Sequence, residues 1–163
     1  MDRLEIKATL SVTDAGEIVG TAWPFNAGPD TTGDIITKGA FNFMSADLPV
    51  LFQHNPADLI GTWTEAAETP DGLIVKGKLH TDQPRARTVL GMIKSGLVSG
   101  LSIGFKTKAS MQQGRNRVIN ALDLYEISVV RNPAHPRARI SSAKEYDRAS
   151  AVASVIRDFT ANI

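Results

Sequence analysis

In Ser99-Gly100-Leu101-Ser102-Ile103-Gly104-Phe105 two glycines flank one serine, and the other alternate residues are large and apolar. Only an extended chain makes sense of that order. With period two, Leu101, Ile103 and Phe105 line one face and can enter a core, while Gly100, Ser102 and Gly104 line the other. Glycine inside a strand costs backbone entropy and packs nothing, so such positions often mark close approach of a ligand or another backbone. The hydroxyl between them is left sterically bare, as a serine attacking a peptide carbonyl requires. The stretch is equally compatible with a glycine-weakened edge strand carrying an incidental serine.

Similar alternation runs through most of the chain. Leu4, Ile6, Ala8 and Leu10 predict a half-buried strand, Asp14-Ala15-Gly16 a turn, and residues 17–23 the returning partner of a hairpin. Residues 24–34, rich in Pro, Gly, Asp and Thr, read as a surface loop. Residues 38–46 are expected to form a short helix with Phe41 and Met44 inward. Residues 49–54 predict a buried strand ended by Asn55-Pro56. A second hairpin joins 61–67 to 73–80 through Thr69-Pro70-Asp71-Gly72. The period then changes: Asp82 can cap a helix, Pro84 suits its first turn, and Val89, Leu90, Ile93 and Leu97 follow at helical spacing up to Gly96 and just beyond. The glycine-flanked strand spans 98–108, and a turn at Gln113-Gly114-Arg115-Asn116 leads to a strand over 118–130, bent near Asp123. Asn132-Pro133-Ala134-His135-Pro136 stops the sheet. Residues 143–159 return to helical spacing, with Tyr146, Ala149, Val152, Val155 and Ile156 on one stripe.

About seven strands with short turns and few helices predict a β-rich α+β fold, a mostly antiparallel β-barrel or sandwich with helices packed outside. The 163 residues suit one such domain over 1–140 followed by a helical tail over 141–163. A formal net charge of +1 argues against a partner held by bulk charge, so no nucleic acid is expected. No apolar run approaches the roughly 18 residues of a membrane span, and the charged, alternating N-terminus is unlike a secretory signal. An intracellular soluble protein is the default expectation. With no cysteine, disulfides, thiolate metal sites and cysteine catalysis are excluded, and the three histidines are too scattered to suggest a metal site. Neither a metal nor another cofactor is expected.

A serine nucleophile needs a base, and the base needs an acceptor to orient it. His54 ends an apolar strand where the scaffold can hold it still, although a histidine there can also be merely structural. His80 reads as a surface residue, and His135, between prolines, as a loop or tail residue. Of the carboxylates in Leu122-Asp123-Leu124-Tyr125-Glu126-Ile127-Ser128, period two puts Asp123 and Glu126 on opposite faces. Glu126 lies among apolar residues, where a carboxylate is costly unless paired, either with an imidazole or with Arg131 or Lys106. Asp123 is expected to cap a bend. Gly100-Leu101-Ser102-Ile103-Gly104 also matches the nucleophile elbow of α/β-hydrolases, but that motif needs a helix after the serine and Phe105-Lys106-Thr107-Lys108 continues the strand.

Leu51-Phe52-Gln53-His54-Asn55, Gly100-Leu101-Ser102-Ile103-Gly104-Phe105, and Tyr125-Glu126-Ile127-Ser128-Val129-Val130 with Asn132-Pro133-Ala134 together resemble the blocks of the prohead proteases of tailed bacteriophages. Asp34-Ile35-Ile36-Thr37-Lys38-Gly39-Ala40-Phe41 is similar too, and the resemblance covers residues 18–138. It implies a β-barrel flanked by helices, as in the distantly similar herpesvirus assemblins. It also implies a serine endopeptidase at work inside the immature capsid in the host cytoplasm. Its partners would be the major capsid protein, cut in a scaffold-like N-terminal segment, or a scaffold protein, and the chain itself through autocleavage; a homo-oligomer is possible. Carried over by position, Ser102 is the nucleophile and His54 the general base. The assemblins use a second histidine as third member; this chain has none in the matching strand, and Glu126 stands in that place. Residues 131–139 are the expected source of oxyanion donors. The alternatives are a non-catalytic scaffolding protein with a protease-like barrel, or an esterase-like hydrolase of small esters.

Overall fold

Period-two alternation becomes one continuous mixed sheet. The structure, a computed structural model, describes residues 2–6, 10–25, 27–131 and 157–158. In chain order the strands are β1 (Asp2–Ile6), β2 (Leu10–Val12), β3 (Glu17–Pro24), β4 (Asp34–Ile36), β5 (Phe41–Phe43), β6 (Leu48–Phe52), β7 (Asn55–Thr69) and β8 (Gly72–Leu79). Helix α1 (Pro84–Lys94) follows, then β9 (Gly100–Gln113), β10 (Asn116–Val130) and β11 (Arg157–Asp158). The sheet runs β1-β9-β10-β6-β7-β8-β3-β2 and curls into a half-barrel, with β1 against β9 at one end of the path and β2 against β3 at the other. Its concave filling includes Trp23, Trp63, Phe105, Ile18, Leu48 and Leu73, all buried. The Trp63 indole N–H, which could not be buried unpaired, donates to the Ile127 carbonyl oxygen at 3.0 Å and ties β7 to β10.

The expected antiparallel pairing holds except along one side of β10. There β4, β5 and β6 lie parallel to it in succession, with Ile35 opposite Val118, Phe41 opposite Leu122 and Leu51 opposite Ser128. Residues 38–46 are therefore not the expected helix. Gly39 takes a left-handed φ of +91°, and the backbone of Met44 donates to Leu124 while that of Leu122 donates to Ala40. With β10 supplying partners, a three-residue strand satisfies backbone groups that one helical turn would leave open. Phe43 is buried, Phe41 half-buried against Phe25, and Met44 exposed rather than inward.

Helix α1 starts at Pro84 as expected, but its N-cap is Gln83, without a side-chain cap, rather than Asp82. Ala86, Val89, Leu90 and Ile93 face the core, while Leu97 lies past the last turn and is exposed. Gly96, at φ +81°, ends the helix: its N–H donates to Ile93 and that of Leu97 to Met92, the paired bonds of a Schellman cap. After the helix ends at Lys94 the chain enters β9 at Gly100, which carries Ser102. The helix expected over 143–159 lies outside the described residues apart from Arg157–Asp158, which are extended and pair with Ala66 and Glu65 of β7.

Candidate active site

The site is built on two neighbouring strands and one turn. In the β9–β10 pair Ser102 lies opposite Ser128 and Gly104 opposite Glu126, so these four residues occupy one face, while Leu101, Ile103, Ile127 and Val129 fill the other. A one-residue register shift at Tyr125 makes this possible: Leu124 pairs with Phe105 and Glu126 already with Gly104. Such a bulge flips the alternation, letting Leu124 and Ile127 both face the core and turning Glu126 to the side of Ser102. It also overturns the expectation that Asp123 and Glu126 face opposite ways. Asp123 pairs with Lys106, on the same side of β9 as Gly104. Its carboxylate accepts from the Asn42 amide at 2.9 Å and lies 3.7 Å from the Lys108 ammonium, away from the serine.

Gly104 has a specific neighbour. A methyl group there would lie 2.7 Å from Cδ and 2.8 Å from Cγ of Glu126. The room that the sequence marks as a place of close approach is taken at Gly104 by the glutamate, which crosses it to reach the imidazole. Ser102 is not bare: it has no exposed surface, and His54 and Glu126 are each 6% exposed.

His54 comes from a tight turn between β6 and β7, with Phe52 paired to Asn55. Asn55-Pro56 therefore opens the next strand instead of ending the previous one. Gln53 and His54 both have left-handed backbones, φ +56° and +59°, the pattern of a type I′ hairpin turn that usually recruits Asn-Gly. Two non-glycine residues there cost about 1 kcal/mol each or more, and three bonds to the end of β10 hold them. The Gln53 N–H donates to the Val129 carbonyl at 3.0 Å, the His54 N–H to Ser128 Oγ at 3.1 Å, and the Arg131 N–H to Gln53 Oε1 at 2.7 Å.

The result is a row of side chains. Ser102 Oγ is 2.5 Å from His54 Nε2, and His54 Nδ1 is 2.5 Å from Glu126 Oε1. Glu126 pairs with neither Arg131 nor Lys106. A carboxylate only accepts, so Nδ1 carries the proton and Nε2 presents a lone pair to the serine hydroxyl. This is the arrangement that lets a serine attack a carbonyl while its proton passes to a held imidazole. His80 is half-buried rather than a surface residue, with Nε2 3.1 Å from Thr62 Oγ1, and His135 lies outside the described residues. Of the expected oxyanion donors, the Arg131 N–H is already given to Gln53, and residues 132–139 lie outside the described residues. The strand continues from Ser102 to Gln113 without the helix of a nucleophile elbow, and no group of three potential ligands for a metal occurs among the described residues.

A buried Ser–His–carboxylate row on a curled, strand-rich sheet defines a candidate serine hydrolase. Residues 3–151 match the model of the caudovirus prohead serine protease family, and the chain belongs to that family. It is 34% identical over 155 residues to the prohead protease of Enterobacteria phage HK97, covering 90% of this chain and 68% of that protein. It is 35% identical over 153 residues to the capsid polyprotein of Pseudomonas phage PAJU2, covering 89% of this chain but only 22% of the polyprotein. With the prohead protease of Escherichia phage T5 the identity is 28% over 124 residues, 71% of this chain and 58% of that protein. No solved structure is significantly similar to the chain.

Sequence reasoning overlooked two contributors. Gln53 gave no turn signal, because Gln-His is not turn chemistry; only the φ angles reveal it. Ser128 sits in an apolar run with nothing local to mark it, although its period-two relation to Glu126 is visible in the sequence.

Proposed function

We propose that this chain is a serine endopeptidase of phage capsid maturation, with Ser102 as nucleophile, His54 as general base and Glu126 as the residue that orients it. The observation that carries the proposal is the unbroken row from Ser102 Oγ through both nitrogens of His54 to Glu126. Within it, His54 Nε2 takes the hydroxyl proton as Ser102 Oγ attacks the scissile carbonyl. The imidazolium then protonates the leaving amine, and the chain is left as an ester on Ser102. Water then attacks the ester carbonyl as Nε2 takes its proton; the acyl–Oγ bond breaks, the imidazolium returns the proton to Ser102 Oγ, and the new carboxyl terminus is released. Glu126 holds Nδ1–H throughout and stabilises the imidazolium; backbone donors to the oxyanion, each worth about 3 kcal/mol of barrier, complete the site.

Family membership and the capsid polyprotein among the relatives support a capsid substrate. On this reading the enzyme works inside the prohead, removing scaffold or the scaffold-like N-terminal segment of the major capsid protein, and cuts itself. A helix-flanked barrel of assemblin type over residues 1–140, followed by a separate tail, belongs to the same proposal. The curled sheet and α1 support the barrel.

Phosphonylation tests the roles. A fluorophosphonate incubated with the purified chain should add one group, mapped by peptide mass spectrometry to Ser102, and the label should be lost in His54→Ala. Labelling of another serine, or undiminished labelling of Ser102 in His54→Ala, would overturn the assignment.

A further inference from the structure

Beyond the three residues of the proposed row, one hydroxyl links its base and its acid from behind. Ser128 is fully buried, directly opposite Ser102 on the neighbouring strand, yet takes no part in the proposed chemistry. Its Oγ donates to Glu126 Oε2 at 2.7 Å and accepts the backbone N–H of His54 at 3.1 Å. The first bond occupies the carboxylate oxygen that His54 does not use, which fixes the rotation of the carboxylate about its own bond to Cγ. The second satisfies a buried backbone N–H in a turn whose φ angles disfavour the residues present. One hydroxyl thus sets the height of the histidine and the plane of the glutamate together.

We infer that Ser128 is a positioning residue of the endopeptidase: it acts through Glu126 and His54 and never meets the substrate. The inference rests on the catalytic reading above. The donor role needs a hydroxyl on a short stem. Alanine would leave Glu126 Oε2 and the His54 N–H buried without partners, and an error of about 1 Å in the imidazole is enough to cost about 100-fold in rate. Threonine keeps the hydroxyl, whereas cysteine keeps the shape but donates weakly.

The test uses the full chain co-expressed with the major capsid protein of the same phage, following trimming over time by intact mass. Ser128→Ala is expected to slow trimming about 10- to 100-fold, Ser128→Cys similarly, and Ser128→Thr to restore it to within about threefold. In parallel, the proton NMR signal of His54 Nδ1–H is read in a Ser102→Ala background, where no cleavage can occur. It should shift or broaden in Ser128→Ala and return in Ser128→Thr. Trimming at the wild-type rate by folded Ser128→Ala or Ser128→Cys, with the Nδ1–H signal unmoved, would overturn the inference. So would equal losses in the threonine and alanine variants, since shape rather than the hydroxyl would then matter. Failure of the underlying reading looks different: trimming would survive Ser102→Ala itself.

Discussion

Glu126 reaches His54 only because residue 104 has no side chain. The carboxylate occupies the space a methyl group would need, with Cδ 2.7 Å and Cγ 2.8 Å from that position, so Gly104→Ala must push the glutamate or the strand aside. Glutamate is branched only at its tip, and its buried stem has little freedom to give way. We expect Gly104→Ala to remain folded by circular dichroism and to trim capsid protein about 100-fold more slowly. Glu126→Gln addresses the same contact chemically. An amide can turn its NH₂ toward Nδ1 and favour the wrong tautomer, and a loss of about 10,000-fold in rate is expected, read in the same trimming time course. Much of this was legible in the sequence: Ser102, His54 and Glu126 were singled out by strand period, burial and resemblance. The purpose of Gly104 was not, because a glycine in a strand says that something comes close without saying what.

The turn that carries His54 behaves as an element clamped from one side. Gln53 secures it twice, through its own N–H to Val129 and through Oε1 to the Arg131 N–H. Gln53→Ala keeps the first bond and removes the second. About 1 kcal/mol of stability should be lost by thermal or denaturant unfolding, and the trimming rate should fall more than that loss alone explains, by about 10-fold. An unchanged rate would mean that the turn is held without the side chain. The sequence predicts the strand that is β6 and places His54 at its end, but it marks Asn55-Pro56 as the terminator where the structure has them open β7. A type I′ turn with Gln-His in its centre lacks the Asn-Gly signal, because the bonds to β10, made by residues more than seventy positions away, do the work that glycine does locally. The bulge at Tyr125 escaped for the same reason. It depends on the register with β9, which no single strand encodes.

At the scale of the whole molecule, β10 is the organising strand. It pairs with β9 along one edge and with β4, β5 and β6 along the other, bringing the serine strand and the histidine turn to either side of Glu126 and Ser128. Hairpins are legible because both strands and their turn are adjacent in sequence, and the β7–β8 pair meets expectation. Of the strand expected over residues 4–10 to pair with β3, Leu10 lies in β2, which does so, whereas Leu4 and Ile6 lie in β1, which pairs with β9. Parallel pairing of three-residue strands with a partner some eighty residues on leaves no local period: β5 falls within the expected helix, and of β4 only Asp34 falls in the expected loop, Ile35 and Ile36 being assigned to no element. The far end of this strand is held independently of the site. Arg117 donates to both oxygens of the buried Asp34 carboxylate at 2.8 and 2.7 Å. Since the guanidinium retains access to water, Asp34→Ala should cost only about 1–2 kcal/mol of unfolding free energy while leaving the trimming rate of the folded enzyme unchanged.

All of the trimming expectations depend on Ser102 cutting capsid protein. Its most direct measurement is the intact mass of the major capsid protein of the same phage, co-expressed with this chain or with Ser102→Ala. Capsid protein should be shortened at one N-terminal site with the wild-type chain and stay full-length with the variant. Shortening that persists with Ser102→Ala would contradict it, as would capsid protein left whole by both chains in particles that still assemble.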